Sequence, residues 1–251
     1  MKRLETKTSD GIFAITLNRP EKRNAIDMLM VDELSESLEH ADLSADVRAV
    51  AIRGNGKDFC AGADLRELLE SVDLPSEDNT RNAMRLGNIF LKIRELAKPV
   101  VAVVHGRALA GGCGLATACD IVLAHSDAQF GYPEIRRGFV PAMVMVMLRR
   151  AVGEKVAFEL VSTGRLVSAE EALGMGLISK VVPAETFEAD VNGVLGSLAA
   201  SSGSALALIK RQLYELEGRS FREGVELGAE VNALARNTDE FRVAVKKFLE
   251  S

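Results

Sequence analysis

The chain has three cysteines among its 251 residues, Cys60, Cys113 and Cys119, and no two of them form a C-x-x-C pair. Three thiols cannot all pair with one another, so they read as reduced, buried side chains rather than a disulfide framework or a zinc site. Histidine is equally scarce: His40, His105 and His125 show no H-x-x-x-H spacing, and no metal is expected. Long apolar runs are missing. A membrane span needs roughly 18–20 consecutive apolar residues, and the longest candidate, Val100–Val104, has the length of a strand. The opening Met1-Lys2-Arg3-Leu4-Glu5 lacks the apolar stretch of a secretory signal, which sets a cytoplasmic expectation. A basic excess is also absent. Lys plus Arg is 31 against 36 Asp plus Glu, a formal net charge of −5, so a dedicated nucleic-acid binder is disfavoured. A few local cations still suffice to bind an anionic small ligand. No G-x-G-x-x-G follows the first strand, which disfavours a dinucleotide fold.

What is present is an ordinary globular composition. Hydrophobic residues make up 47% and charged residues 27%, enough apolar surface for one sizeable core. Ile12, Ala14 and Thr16 alternate with Phe13, Ile15 and Leu17, and both sets are largely apolar, as in a strand covered on two sides. Asp27 reads as an N-cap, with Met30, Leu34, Leu38 and Ala41 at helical spacing behind it. Further strands are predicted at Val47–Ile52, Val100–Val104, Ile121–Ala124 and Leu177–Val182. Helices are predicted from near Leu65, up to about Ala97, from the glycine cluster 106–114 to Cys119, and over Met143–Ala151. Residues 71–80 are polar and without a period, the pattern of a mobile loop, and Phe130–Val140 also reads as loop. Ser168-Ala169-Glu170-Glu171 is a capping-box sequence opening another helix. From about Glu185 the strand signals vanish, while Leu206, Ile209, Leu213 and Leu216 keep helical spacing. The chain therefore divides into an α/β body over 1–185 and a helical region over 186–251.

Three segments carry chemical potential. Cys60-Ala61-Gly62-Ala63-Asp64-Leu65 and Ala110-Gly111-Gly112-Cys113-Gly114-Leu115 are small-residue turns that open helices. Such turns let backbone approach a ligand and aim free N–H groups at it. Two of them can bring one N–H each to a single oxygen, forming an oxyanion hole at a helix N-terminus. The third segment, Gly131-Tyr132-Pro133-Glu134-Ile135, places a carboxylate in a tight apolar turn. Partial desolvation there raises its pKa toward a general acid/base value.

Taken together these segments resemble the crotonase (enoyl-CoA hydratase/isomerase) superfamily. The resemblance runs over nearly the whole chain and rests on seven stretches in order. They are Asn18-Arg19-Pro20-Glu21-Lys22-Arg23-Asn24-Ala25, Phe59 to Leu65, Lys98 to Ala102, Gly106 to Cys113, Ala118 to Ile121, Gln129 to Ile135 and Ala172 to Ile178. The resemblance implies a spiral of β-β-α units with a C-terminal helical trimerisation region, assembling as a homotrimer or dimer of trimers. It implies an acyl-CoA thioester as substrate, with coenzyme A entering as part of that substrate and no separate cofactor. It implies oxyanion-hole N–H groups on Ala63 and Gly111, and Glu134 as the acid/base. Lys22, Arg23 and Ala25 fall where the family contacts coenzyme A, and Ala61, Asp64 and Leu65 belong to the substrate-contacting stretch. Lys246 and Lys247 in the last helix are further candidate cations.

Two departures from the family pattern stand out. Two-carboxylate hydratases carry a glutamate just after the second glycine turn, and here that position is Gly114. Asp64 and Glu67 are the nearest candidate replacements, although their usual roles look structural. A lone Glu134 favours moving a double bond from 3,4 to 2,3, or a hydration in which one residue does both jobs. The same oxyanion hole also serves decarboxylation, thioester hydrolysis and retro-Claisen cleavage, and an inactive coenzyme A-binding protein is a further alternative. The second departure is Phe139-Val140-Pro141-Ala142-Met143-Val144-Met145-Val146-Met147-Leu148, apolar and methionine-rich where many members are glycine-rich. It reads either as acyl-pocket lining or as core packing.

Overall fold

The computed structural model describes residues 2–250. The nine strands are β1 (Leu4–Ser9), β2 (Ile12–Leu17), β3 (Ala49–Gly54), β4 (Val100–Val104), β5 (Arg107–Leu109), β6 (Ile121–His125), β7 (Gln129–Gly131), β8 (Leu166–Ser168) and β9 (Lys180–Val182). The helices are α1 (Met28–Leu43), α2 (Leu65–Glu70), α3 (Ser76–Glu95), α4 (Gly111–Ala118), α5 (Val144–Val152), α6 (Glu154–Thr163) and α7 (Ala169–Gly174). The last four are α8 (Phe187–Ala200), α9 (Gly203–Glu215), α10 (Phe221–Arg236) and α11 (Asp239–Leu249). Six strands form one sheet in the order β1-β2-β3-β4-β6-β9, and β5-β7-β8 form a second. Within the large sheet only the β1–β2 hairpin is antiparallel; the other pairs are parallel.

Successive units share a plan. β4 enters the large sheet, β5 the small one, and α4 follows; β6 and β7 repeat the pattern before α5. In the unit that starts with β3, Cys60 bridges to Ala108 in place of a full second strand. The period-2 geometry of a strand divides its side chains between two layers. Val50, Ile52, Val100, Ala102 and Val104 join the main core, where α1, α3 and α4 pack. Ala51, Val101, Val103 and Leu123 join a second core closed by Val191 and Leu195 of α8. Helix α8 thus covers the sheet rather than extending away from it.

Several predicted elements are corrected. Residues 71–80 are not a loop throughout, because α3 begins at Ser76. Its first turn carries Glu77 and Asp78, which suit a helix N-terminus. Apolar burial is confined to Ile89, Phe90 and Ile93 near its end, so the first turns show no period. Strand β1 lacks an apolar signal because only Leu4 is buried; its pairing with β2 is what makes it a strand. Strands β5, β7 and β8 are three residues each, too short for a pattern, and β7 occupies part of the predicted loop 130–140. At Ser168 the hydroxyl accepts from Glu171 N at 3.2 Å as predicted. The reciprocal half of that box is absent, because the Glu171 carboxylate pairs with Arg165 at 2.6 Å. A complete capping box occurs instead at Ser220 and Glu223.

Helix α9 is bolted to the body by a buried polar cluster. The ammonium of Lys210 donates to Ile93 O at 2.7 Å and Lys98 O at 3.1 Å and pairs with Asp120 at 2.8 Å. Asp120 also accepts from Val100 N and from the Tyr214 hydroxyl, and Arg94 stacks over the Tyr214 ring at 4.3 Å. Burial holds the Lys210 pKa below that of an ordinary lysine. Removing one member of a buried pair leaves its partner uncompensated and costs about 3–5 kcal/mol. Lys210→Met should therefore lower the melting temperature by about 6–20 °C in a chain of this size. A shift under about 2 °C in a thermal melt would show that the cluster contributes little.

Candidate active site

Two loops meet at the end of the small sheet. The segment 60–64 runs between the 24–26 stretch and β5. Ala61 N donates to Arg23 O, Ile26 N to Gly62 O and Asp64 N to Ile26 O on one side. On the other, Cys60 N donates to Arg107 O and Leu109 N to Cys60 O. This pattern leaves the Ala63 N–H outside the ladder, with no acceptor among the described residues. The second loop places Ala110 at φ +51°, ψ −126°, directly before α4. An alanine is strained there by about 1–3 kcal/mol. The conformation is fixed by Ala110 N donating to Gly131 O at 2.8 Å and by the helix that starts at Gly111. As the first residue of α4, Gly111 has an N–H without an intrahelical acceptor.

The two free N–H groups belong to turns that lie side by side. A Cβ built on Gly111 would lie 3.7 Å from Ala63 N and 3.9 Å from Gly62 Cα. Glycine at 62 takes φ +98°, and a Cβ there would come within 2.7 Å of Ala110 Cβ. The turns thus approach more closely than side chains permit. Leu86 of α3 adds an apolar wall, with Cδ2 3.8 Å from that same Gly111 position.

Glu134 arrives from the neighbouring strand. β5 and β7 pair in parallel with Leu109 opposite Gly131, so both chains leave the sheet at the same end. One leads to Ala110 and Gly111. The other leads through Tyr132 into a 3-10 turn, Pro133–Arg137, opened by the proline and closed by Gly138 in the left-handed region. The Glu134 side chain is partly buried, and its Oε2 is fully covered without a hydrogen-bond partner. Burial raises its pKa, with its own backbone N–H and Arg137 opposing. The direction matches the desolvation predicted from the apolar turn.

The other sequence candidates separate into two groups. Lys22 and Arg23 are exposed at the rim, where they offer local positive charge in an acidic protein. Ala25 and Ala61 are half-buried beside them, and Leu65 is exposed. Asp64, by contrast, has its carboxylate committed: it caps α2 by accepting from Arg66 N and pairs with Arg19 at 2.7 Å. Glu67 accepts from Met28 N at 2.8 Å. Asp64 thus has both oxygens engaged, and Glu67 is tied through Oε2 to the start of α1. Lys246 and Lys247 are exposed on α11. Cys113 is buried with its thiol pushed up to about 12 by desolvation, so it is a packing residue rather than a nucleophile. The methionine-rich stretch splits: Val144, Met147 and Leu148 are core, while Met143 is half-buried with its sulfur beside Gly87 of α3.

Two positioning residues carried no role in the sequence reading. Asn24 is fully buried at φ +55° and donates to Asn55 O, Asp58 O and Phe59 O while accepting from Arg19 N. Arg19 links Asp64, Asp27 and Ala25 O. Together they tie the rim loop to the first glycine turn. Asparagine's tolerance of the left-handed region, next to a Lys-Arg pair, is the signal available in advance. Ala110 offers none, because glycine is the ordinary residue for its conformation.

Comparison with known proteins identifies the family and the fold. A family profile described as enoyl-CoA hydratase/isomerase matches residues 7–251. A Thermus thermophilus protein named provisionally as an enoyl-CoA hydratase is 38% identical over 239 residues, covering 95% of this chain and 94% of the relative. The mitochondrial enoyl-CoA hydratase domain-containing protein 3 of Rattus norvegicus is 36% identical over 84% of this chain and 69% of its own length. The crystal structure of enoyl-CoA hydratase from Mycobacterium smegmatis superposes with a TM-score of 0.94 at 32% identity, covering 99% of this chain and 96% of that one. The fold and these matches agree: the chain belongs to the enoyl-CoA hydratase/isomerase family, with the crotonase fold.

Proposed function

We propose that this enzyme converts a 3-enoyl-CoA thioester to its conjugated 2-enoyl isomer, with Glu134 as the one acid/base. The observation that carries the reading is the Glu134 carboxylate: its Oε2 is buried and unpartnered at the sheet end that also bears Gly111, and the second carboxylate position is Gly114. In this reading the thioester oxygen accepts from Ala63 N–H and Gly111 N–H. Glu134 removes a proton from C2, and the electron pair of that C–H bond moves into an enolate whose oxygen the two N–H groups stabilise. Glu134 then returns the proton to C4 as the double bond settles between C2 and C3. Desolvation favours this cycle, since burial raises the Glu134 pKa and makes its carboxylate a stronger base toward the C2 proton than an exposed glutamate.

Lys22, Arg23 and Ala25 hold the coenzyme A portion, and Ala61 and Leu65 flank the thioester arm, while Asp64 supports the turn from behind. Exposed Phe221, Val225 and Leu249 on the C-terminal helices supply the apolar surface of a homotrimer. A cytoplasmic site of action is part of the same reading.

Incubation with a medium-chain 3-enoyl-CoA tests the reaction by product mass and double-bond position. The expected product has unchanged mass and a conjugated double bond. A product one water heavier, formed without accumulation of the conjugated isomer, would overturn isomerisation in favour of hydration.

A further inference from the structure

The two departures from the family pattern meet in space. Gly114 lies on α4, three residues after Gly111 and therefore on the same helix face. Side chains on a helix lean toward its N-terminus, so a side chain at 114 would lean back toward the Gly111 N–H. That space is filled from α5. A Cβ built on Gly114 would fall inside the van der Waals envelope of Val144 Cγ1 and 2.9 Å from Val144 Cβ, with Phe90 Cζ at 3.4 Å. Val144 is 4% exposed and Phe90 is 5% exposed. A buried β-branched side chain has little rotamer freedom with which to yield.

We infer that Gly114 and Val144 are one coupled change, and that Val144 is a specificity-determining residue. Its isopropyl group occupies the place from which a second carboxylate would act on water. The wall on that side of the site is therefore apolar, and Glu134 is left as the one proton carrier. This inference rests on the isomerase reading for its consequence in catalysis, but the steric coupling stands apart from it. The glycine-poor stretch at 139–148 and the glycine at 114 then have a single explanation: the small residue has moved from one side of the α4–α5 contact to the other.

A four-member cycle tests the coupling: wild type, Gly114→Ala, Val144→Gly and the double variant, each followed by thermal melting. Gly114→Ala should lower the melting temperature by about 5–10 °C through overpacking. Val144→Gly should lower it as well. The double variant should melt above the sum of the two losses by at least about 5 °C, since the new methyl then has room. Additive losses, or Gly114→Ala melting like wild type, would overturn the coupling.

The catalytic arm compares Gly114→Glu with Gly114→Glu/Val144→Gly on a 2-enoyl-CoA. The double variant should hydrate it at least about tenfold faster than wild type, the low end of what a positioned acid/base group contributes being larger still. Gly114→Glu alone should not. Equal hydration by both, or no gain in the double variant, would overturn Val144's role in selecting the reaction. Failure of the isomerase reading itself shows separately, as a wild type that already hydrates efficiently, while the melting cycle still decides the coupling.

Discussion

Glu134→Gln should leave the protein folded and reduce turnover by about 10²–10⁴-fold, the contribution of a positioned acid/base group. Glutamine keeps the shape of the side chain and cannot carry the proton. The same substitution has a signed consequence for stability. Burial raises the Glu134 pKa in the folded state, so the native protein binds a proton more readily there than the unfolded chain does. Stability from this site falls as pH rises through the window between the ordinary carboxylate value and the raised one. Above that window wild type bears the full cost of a buried charge, and Glu134→Gln does not. The variant should thus melt at or above the wild-type temperature at pH 8, and lose that advantage below about pH 4, where both carboxyl states are neutral. Wild-type activity should rise with pH through the raised pKa, because proton removal from C2 needs the ionised form. Turnover by Glu134→Gln within a few-fold of wild type would remove Glu134 from the chemistry.

Gly111→Ala and Gly112→Ala, one residue apart, should fail in opposite ways. A methyl at 112 would meet Cys60 O at 2.5 Å, Cys60 Cβ at 2.6 Å and Cys60 Sγ at 2.7 Å. Part of that obstacle is backbone, so the two turns must separate. Overpacking of this kind costs about 1–3 kcal/mol or more, and the melting temperature should drop by several degrees with activity lost alongside. A methyl at 111 meets nothing closer than 3.7 Å. Gly111→Ala should therefore melt within about 2 °C of wild type. Its methyl would nevertheless stand 3.7 Å from Ala63 N, beside the proposed position of the thioester oxygen. Loss of one oxyanion donor costs about 10²–10³ in kcat, and blocking both should cost at least that. Melting curves and steady-state kinetics on the pair distinguish the roles. Full activity in Gly111→Ala would place the oxyanion hole elsewhere.

Legibility in the sequence followed the physics of each element. β3 and β4 were readable because both faces are buried, which demands continuous apolar runs. α1 was readable because Met30, Leu34, Leu38 and Ala41 make a single buried stripe behind the Asp27 cap. The start of α3 was hidden because its first turns bury little, and Pro75 followed by acidic first-turn residues, rather than a stripe, marks where it begins. β1 was hidden because cross-strand pairing, not burial, defines it. At the candidate site, the two small-residue turns and the Glu134 carboxylate in an apolar turn were legible, while the choice of Ala63 and Gly111 within those turns came from the family resemblance. Val144 was visible only as part of an anomalous methionine-rich stretch. Its contact with Gly114 joins residues thirty positions apart, and no local pattern reports such a contact. Asn24 and Arg19 were likewise inside a matching stretch, but their roles depend on carbonyls and carboxylates contributed by residues 55–64.

In the proposed mechanism one buried carboxylate carries the proton from C2 to C4. The most direct test uses a 3-enoyl-CoA deuterated at C2, in light water, stopped at low conversion, with the position of the label read by mass spectrometry. Because Glu134 Oε2 is covered, the account predicts a conjugated product of unhydrated mass with deuterium recovered at C4. A hydrated product, or a conjugated product with only solvent hydrogen at C4, would contradict it.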